Sequence, residues 1–335
     1  MKSLFRHNFI RVLVFFVAAA LLIAGLNVLF TPKWSTTFRS GTTIRSLYDQ
    51  PRDSIDVLIL GPSNAICGIN ANEFFREYGM AAYSAATESQ PIAGSYFLLV
   101  DTLRRQDIRA VILDLSMLFD DTQEPDYRKV FDYMPLTGQK LQLLREYHSI
   151  MPEMDFASYL LPLIQYHSRY DELSTEDITR DGPALRGFFV RDEIYEGPEP
   201  GLTPDPEREP FEVGETEQTY FRKIAELCEQ EGITLLLTSC PAKIFTNPMH
   251  NAARALADEY GLTYLDFSMP DVWPLDNYTG LMADSAHLNR WGAAVVTEAL
   301  GAELLTECAL PDRSEDAYQL ALDEEYEQAL QEANQ

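Results

Sequence analysis

Two short segments that lie far apart in the chain carry side chains that could form a nucleophilic catalytic site. Ser63 stands just after the apolar run Ile55–Leu60, and Asp284 stands three residues before His287. A histidine can take the proton of a serine hydroxyl, and a carboxylate on the other ring nitrogen holds the imidazole in the required orientation. We therefore predict Ser63 as the nucleophile, His287 as the general base and Asp284 as the group that orients the histidine.

Each segment alone is a common pattern with a simpler explanation. Ser63 could cap the N-terminus of a helix, because serine after a strand suits that role. His287 could be a capping or packing histidine before the last helix. The combination favours catalysis, since the serine follows the first predicted strand and the Asp-x-x-His precedes the last predicted helix.

The elements that would position these residues form an alternating pattern of strands and helices. Five segments have the composition of buried strands: Val57–Leu60, Ala81–Ala85, Ala110–Leu115, Thr234–Thr238 and Thr263–Phe267. Helical patterns separate or follow them: Pro91–Arg105, Glu217–Gln230, Pro248–Tyr260 and Arg290–Leu305. Such alternation predicts an α/β fold, a parallel sheet with helices on both faces. Sheets of this kind bind ligands at the carboxyl ends of their strands, which is where Ser63 falls.

The two segments together resemble the SGNH/GDSL hydrolase superfamily, whose serine follows the first strand and whose Asp-x-x-His lies near the C-terminus. Residues 63–70 and 284–293 are most similar to its membrane-anchored bacterial branch, which contains D-alanyl-lipoteichoic acid biosynthesis proteins and alginate O-acetyltransferase-like proteins. The resemblance covers about residues 55–300. It implies a flavodoxin-like three-layer α/β/α fold and acyl-ester chemistry, as an esterase or an O-acyltransferase, most commonly with acetyl groups.

An acyl-transfer site also needs hydrogen-bond donors for the oxyanion of its transition state. The backbone N–H of Ser63 is a natural candidate. By position in the resemblance, the others for oxyanion or substrate contact are the Asn64 side chain, the backbone of Ala86 or Thr87, and the Gln90 amide.

The third motif of the superfamily, Gly-x-Asn-Asp, is absent, because the chain continues as Thr-Ser-Cys-Pro at residues 238–241. This departure counts less against a transferase, since the anchored branch also tends to lack the motif. The resemblance implies acylated carbohydrate or a cell-envelope polymer as substrate, and a membrane-bound acyltransferase as a partner. The rival interpretation is a non-catalytic partner protein of an envelope acyl-transfer or polysaccharide-export complex. The missing asparagine favours that rival, whereas the intact Ser-His-Asp set opposes it.

Residues 12–30 contain no charged side chain. Nineteen helical residues span about 28 Å, close to the hydrocarbon thickness of a bilayer. Lys2, Arg6 and Arg11 precede this run and favour a cytoplasmic N-terminus. We predict a single-pass anchor over residues 1–31 and a catalytic domain outside the cytoplasm. A cleaved secretory signal is the alternative, although the apolar run is long for one.

The balance of charged residues disfavours one class of binding partner. The net charge is −26, from 52 acidic and 26 basic residues, which disfavours nucleic-acid binding.

The chain has no phosphate-cradling glycine-rich loop and no His-x-x-x-His, so we predict no cofactor and no metal site. Asp114 follows the third strand and could bind a cation, although an acidic loop residue is the simpler interpretation. The four cysteines lack Cys-x-x-Cys spacing; we expect Cys67 and Cys240 to be buried as small hydrophobes, with a disulfide left open.

Domain boundaries follow from shifts in composition. We predict a polar linker over residues 32–54 and an α/β domain over residues 55–310. Residues 116–216 are irregular apart from the helical segment Leu141–Tyr170, and we interpret them as an insertion or lid. Residues 311–335 form an acidic tail, expected to be a solvated helix or disordered.

Overall fold

A five-stranded, entirely parallel sheet forms the centre of the part of the chain that the structure describes. This computed structural model describes residues 2–32, 38–120, 123–178, 184–197, 200–273, 278 and 280–333. The strands are β1 Val57–Leu60, β2 Ala82–Ser84, β3 Ala110–Asp114, β4 Thr234–Ser239 and β5 Tyr264–Asp266. Each predicted strand is therefore present, and its ends shift by at most one residue. The strand order is β2-β1-β3-β4-β5, the order of flavodoxin-like sheets.

Helices connect and flank the strands. In chain order they are α1 Lys2–Phe30, α2 Ser40–Asp49, α3 Ser63–Gly68, α4 Ala71–Tyr78, α5 Ile92–Thr102, α6 Glu124–Phe131, α7 Gly138–Ile150, α8 Phe156–Leu160, α9 Leu163–Tyr166, α10 Glu215–Glu231, α11 Asn247–Tyr260, α12 Arg290–Glu307 and α13 Ala317–Ala333. Short 3₁₀ turns lie at Ser116–Phe119, His167–Asp171, Thr175–Asp177 and Leu185–Gly187. The four helices predicted around the sheet are present with small shifts at their ends.

Both faces of the sheet are covered, which explains the continuous apolar runs of its central strands. Successive strand side chains point to opposite faces. Leu58, Val111 and Leu235 belong to an apolar cluster with side chains of α5, α10 and α11. Ile59, Ile112 and Leu236 belong to a second cluster with side chains of α3, α4 and α12. The arrangement is consistent with three layers, helices on either side of one sheet.

The prediction of a linker over residues 32–54 is wrong for residues 40–49, because these residues form helix α2. Ile44 and Leu47 are buried in the apolar cluster on the α5 face of the sheet. The Ser40 hydroxyl accepts a hydrogen bond from the Glu88 N–H at 3.0 Å. Hydroxyl side chains give this helix a polar sequence, but hydrogen bonding to the domain allows such residues to be buried. Residues 40–49 are part of the folded domain.

The insertion between β3 and β4 packs on the same domain. Tyr127, Phe131 and Tyr147 join the apolar cluster on the α5 face, and the rings of Tyr127 and Tyr147 stack with centroids 4.3 Å apart. The predicted helical segment Leu141–Tyr170 divides into α7, α8, α9 and a 3₁₀ turn. Aromatic packing thus fixes this part of the insertion against the helices that cover the sheet.

The acidic tail also packs on the domain rather than lying in solvent. Helix α13 buries Tyr326, whose hydroxyl accepts a hydrogen bond from the Asn70 amide at 2.9 Å. Ahead of it, the Arg313 guanidinium pairs with the buried Asp56 carboxylate at 2.8 Å. Leu330 packs in the same small apolar cluster as Tyr326, and Arg76 of α4 pairs with Asp323 of α13 at 2.6 Å. One face of the acidic helix is therefore docked on the domain.

Helix α1 contains a stretch, Asn8–Phe30, that is long and apolar enough to cross a membrane and is not buried by the rest of the molecule. It is the one such helix in the described residues. A signal sequence would have the same properties, so both interpretations of this segment stand.

All four cysteines are free. Cys67 and Cys240 are buried, as predicted, and so is Cys228, whose pKa burial raises to about 12.

Candidate active site

Ser63 lies at the carboxyl end of β1, where the chain turns from the strand into α3. Gly61 makes the turn with a φ of +146°, and Pro62 precedes the helix in an extended conformation. Ser63 is the first residue of α3. Its N–H therefore lies outside the helical hydrogen-bond ladder, whose first bonds run to the Pro62 carbonyl from Ala65 and Ile66.

The structure brings Ser63, His287 and Asp284 together. Ser63 Oγ lies 2.8 Å from His287 Nε2. His287 Nδ1 lies 3.0 Å from each carboxylate oxygen of Asp284. A proton on Nδ1 therefore donates to the carboxylate and leaves Nε2 free to accept from the serine. The geometry is that required of a nucleophile, base and orienting acid.

The spacing Asp-x-x-His follows from the turn that these residues form. Asp284 Oδ1 accepts hydrogen bonds from the N–H groups of Ala286 at 2.8 Å and His287 at 2.9 Å. The Ala283 N–H donates to the His287 carbonyl at 2.8 Å. One carboxylate thus closes the turn and holds the imidazole. Asn289 then caps α12, as its position predicts, by accepting from two first-turn N–H groups at 3.1 Å.

Arg191 extends this hydrogen-bonded chain, and the sequence did not single it out. Its guanidinium donates to Asp284 Oδ2 at 2.5 Å and to Glu193 at 3.2 Å. Burial alone raises the pKa of Asp284, but the Ala286 N–H, Arg191 and His287 outweigh it and lower the pKa to about 2. Asp284 is therefore ionised at any pH near neutrality. The only sequence signal for this segment is the apolar run Phe188–Val190 within a polar region.

Arg191 belongs to a strap, defined as residues 188–195, that crosses both halves of the site. Main-chain hydrogen bonds join the strap to α3, to the segment before the turn at residues 283–287 and to the start of α12: Phe189 N–H to Ile66 O at 3.1 Å, Tyr195 N–H to Met282 O at 2.9 Å, and Arg290 N–H to Arg191 O at 2.9 Å. The late part of the insertion therefore holds the two distant segments in register with each other.

We expect Arg191→Gln to slow the reaction of Ser63 with an acylating or phosphonylating reagent by about ten- to a hundredfold. A hydrogen bond to a charged group is worth about 1.5–3 kcal/mol, and 1.4 kcal/mol is about a factor of ten in rate. Without the guanidinium, the pKa of Asp284 rises towards its ordinary value, because one of the interactions that lower it is lost. Arg191→Lys should retain part of the rate.

The matched control is Arg290→Gln, since Arg290 pairs with Asp192 at 3.0 Å in the same region. Equal rates for Arg191→Gln and the unmodified protein would contradict a positioning role for Arg191.

Asn64, predicted to contact the oxyanion or the substrate, instead joins the two halves of the site. Its side-chain amide donates to the Ala286 carbonyl at 2.8 Å, and the residue is buried. The contact ties the first turn of α3 to the turn that carries Asp284 and His287. The amide predicted to contact the oxyanion or substrate is therefore engaged in holding the turn that carries Asp284 and His287.

The candidates after β2 are fully buried, and two of them are already engaged as donors. The Thr87 N–H donates to the Gly61 carbonyl at 3.2 Å, and the Gln90 amide nitrogen donates to Ser95 Oγ at 2.9 Å. These two donors therefore do not face an oxyanion in this conformation, because the loop after β2 turns into the protein towards α5. Ala86 is also fully buried, within the apolar cluster on the α12 face of the sheet. The N–H of Ser63, by contrast, lies outside the helical hydrogen-bond ladder.

A cavity of about 190 Å³ lies next to Phe38, whose ring packs against the His287 ring with centroids 5.0 Å apart. The other lining residues come from Arg39 and α2, from the 3₁₀ turn before the strap and from the start of the strap: Arg39, Thr42, Thr43, Ala184, Leu185, Gly187, Phe188, Phe189 and Val190. Phe38 lies in the segment predicted as a linker, so the sequence assigned it no place in the site. Ser63 and His287 do not line this cavity, and Phe38 is the residue that it shares with the surroundings of the imidazole.

Asp114 is a buried structural residue and not an acid in a solvated loop. Its carboxylate accepts from the N–H groups of Ser116 at 2.9 Å and Cys240 at 3.0 Å, and burial raises its pKa. It also lies against the turn that presents the serine, since a Cβ on Gly61 would sit 2.8 Å from the Asp114 Cβ. Within the described residues, no group of three or more histidine, cysteine or acidic side chains has the arrangement of a metal site.

We expect Gly61→Ala to lower the free energy of unfolding by about 1–3 kcal/mol, because a side chain is strained at this φ and would collide with Asp114. Denaturant unfolding measures the change. Gly138→Ala in α7 is the matched control, since a Cβ there would meet nothing within 4 Å. Equal stability of Gly61→Ala and the unmodified protein would show that the turn tolerates a side chain.

Comparison with known proteins supplies no assignment, because no family model and no curated protein matches the chain. Its fold and the geometry of its site are therefore the basis for a functional proposal.

Proposed function

We propose that this protein is a membrane-anchored, serine-dependent acyl-ester hydrolase or O-acyltransferase with its catalytic domain outside the cytoplasm. The observation that carries the proposal is the continuous chain of contacts from Ser63 through His287 to Asp284. Each contact has the length of a hydrogen bond, and the members come from opposite ends of the domain. Arg191 holds the far end of the chain.

In the proposed reaction, Ser63 Oγ attacks the carbonyl carbon of an acyl ester while His287 Nε2 takes the hydroxyl proton. The imidazolium, stabilised by Asp284, then gives that proton to the departing alcohol and leaves an acyl-serine. A second nucleophile, activated by the neutral imidazole, attacks the acyl-serine and restores the hydroxyl. Water as that nucleophile makes the protein an esterase, and a sugar hydroxyl makes it an O-acyltransferase.

The surroundings of Ser63 suit an ester of a small acyl group. The N–H of Ser63 is outside the helix ladder and can donate to the developing oxyanion. The apolar ring of Phe38 packs against the imidazole and suits contact with an acyl group. The carboxylate of Asp284 is 39% exposed, so the site opens to solvent on that side and can admit part of a polymer. The polymer class, envelope or exported polysaccharide, rests on the resemblance of the two motifs.

A non-catalytic partner of an envelope acyl-transfer complex is the second candidate. The observation that favours it is the small number of oxyanion donors, since Thr87 and Gln90 are engaged elsewhere. Loss of one such donor typically costs about 10²–10³ in rate. In this candidate the Ser–His–Asp contacts would serve packing alone.

A fluorophosphonate probe separates the two functions. The enzyme proposal predicts covalent labelling of the full-length protein and no labelling of Ser63→Ala with unchanged circular dichroism. Well-folded protein that is not labelled would support the partner function. Acetate release from an aryl acetate, measured with and without an added oligosaccharide, then distinguishes hydrolysis from transfer, because a transferase gives acetylated oligosaccharide as its main product.

A further inference from the structure

The end of helix α1 is fixed to the insertion by three hydrogen bonds. Asn27 Oδ1 accepts from the Leu163 N–H at 2.8 Å, and the Phe30 carbonyl accepts from the Arg169 guanidinium at 2.8 Å. The Pro32 carbonyl accepts from the Tyr133 hydroxyl at 2.6 Å. The bonds bring α9 and the 3₁₀ turn after it into direct contact with the last turn of α1.

Three large apolar side chains are exposed beside these contacts. Ile164 is 42% exposed, Tyr170 is 72% exposed and Ile178 is 75% exposed. Ile164 follows the residue that bonds to Asn27, and Tyr170 follows Arg169. Single exposed apolar residues are ordinary on protein surfaces, but several together mark an interaction surface.

Ile178 is linked to the end of α1 through the ion pair between Arg169 and Asp177. The preceding residue, Asp177, is buried and its carboxylate lies 3.2 Å from the Arg169 guanidinium. Arg169 therefore connects the α1 terminus to the turn that ends at Ile178. The three apolar residues thus follow positions that are tied, directly or through Arg169, to the end of α1.

The length of α1 sets the depth, relative to the bilayer, of the groups bonded to its end. The stretch Asn8–Phe30 has 23 residues. At helical rise it is about 34 Å long, slightly more than the roughly 30 Å hydrocarbon core of a bilayer. Its last turn therefore lies at the boundary between hydrocarbon and headgroups. Groups within hydrogen-bonding distance of Asn27 and Phe30 lie at the same depth.

We propose that the interfacial segment, defined as residues 163–178, lies on the bilayer that α1 crosses, with Ile164, Tyr170 and Ile178 among the headgroups. The proposal rests on the membrane anchoring proposed above and assigns a function to part of the insertion. Tyrosine is enriched at this depth because its ring is apolar and its hydroxyl is polar. The contact holds the catalytic domain against the membrane surface.

The interfacial segment contacts lipid, and electrostatic attraction contributes little to this contact. Arg169 is paired with Asp177 and Glu172, and the protein as a whole carries a charge of −26. Such a surface gains nothing from anionic headgroups. We therefore expect the contact to form on uncharged phosphatidylcholine and to persist at high salt.

Site-directed fluorescence on the full-length protein tests the proposal. The background is Cys308→Ser, since the other cysteines are buried. Tyr170→Cys and Ile178→Cys, each labelled with a polarity-sensitive fluorophore, are reconstituted in phosphatidylcholine vesicles that contain headgroup-proximal quencher lipids. Leu22→Cys in α1 reports insertion of the helix. Leu305→Cys, an exposed apolar position at the end of α12, is the matched control.

We expect labels at 170 and 178 to be quenched about twofold or more relative to the label at 305, because an interfacial surface enters only about 5–10 Å into the headgroup boundary. Labels at 170 and 178 that match the 305 label, with the emission of the label at 22 shifted to the blue as in hydrocarbon, would overturn the proposal and leave the anchor intact. Emission of the label at 22 that is typical of water would overturn both. Quenching that depends on the protein-to-lipid ratio would assign the surface to a second copy of this chain and overturn the lipid contact.

Discussion

His287→Ala is expected to slow acylation of Ser63 by about 10⁶-fold, the loss found when a serine nucleophile loses its histidine. The ring nitrogen that lies 2.8 Å from Ser63 Oγ is the acceptor for the hydroxyl proton. Without it the hydroxyl attacks at the rate of an ordinary alcohol. The second-order rate of fluorophosphonate labelling measures the effect, with thermal unfolding as a check that the variant is folded.

His250→Ala is the matched control. His250 also has Nδ1 on a carboxylate, at 2.7 Å from Asp266, but that pair joins α11 to β5 and takes no part in the proposed reaction. Its labelling rate should equal that of the unmodified protein. A loss of less than tenfold in His287→Ala would contradict the proposed base.

Asp284→Asn should reduce the acylation rate by about 10⁴-fold while keeping the turn folded. The amide oxygen can still accept from the Ala286 and His287 N–H groups, which the carboxylate binds now. The amide nitrogen, however, can donate to His287 Nδ1 and so move the ring proton to Nε2. The wrong tautomer then faces Ser63. A labelling rate within tenfold of the unmodified protein would show that Asp284 does not orient the base.

The same variant changes the pH dependence of stability in a defined direction. The folded pKa of Asp284 is about 2, below the roughly 3.9 of an unfolded aspartate. A depressed pKa contributes stability that is present above about pH 4 and is lost as the pH falls towards 2. Asp284→Asn should therefore lose less stability than the unmodified protein between pH 5 and pH 2, as measured by denaturant unfolding at each pH.

The sequence predicted the features that depend on residues close together in the chain. An all-apolar run such as Val57–Leu60 indicates a strand buried on both faces, whatever packs on it. The Asp-x-x-His spacing likewise describes a single turn, which Asp284 closes through its own carboxylate. The structure places both where the sequence predicted them.

The features that the sequence did not predict depend on partners far away in the chain. Arg191 becomes part of the site only because the strap crosses Asp284. Residues Ser40 and Thr42 look like linker residues until the domain covers them. Tyr326 docks an acidic helix by reaching Asn70 across the chain. Arg191 has no repeating pattern around it, so long-range packing alone decides its place.

Tyr133 is one of the contacts that limit the distance between the end of α1 and the proposed active site. Its hydroxyl holds Pro32, and its ring fills the space where a Cβ on Gly41 would lie, 2.6 Å from the nearest ring carbon. Pro32 and Phe38 are separated by at most about 20 Å of extended chain, and Phe38 packs on the imidazole. A connection this short keeps the proposed active site close to the bilayer that α1 is proposed to cross.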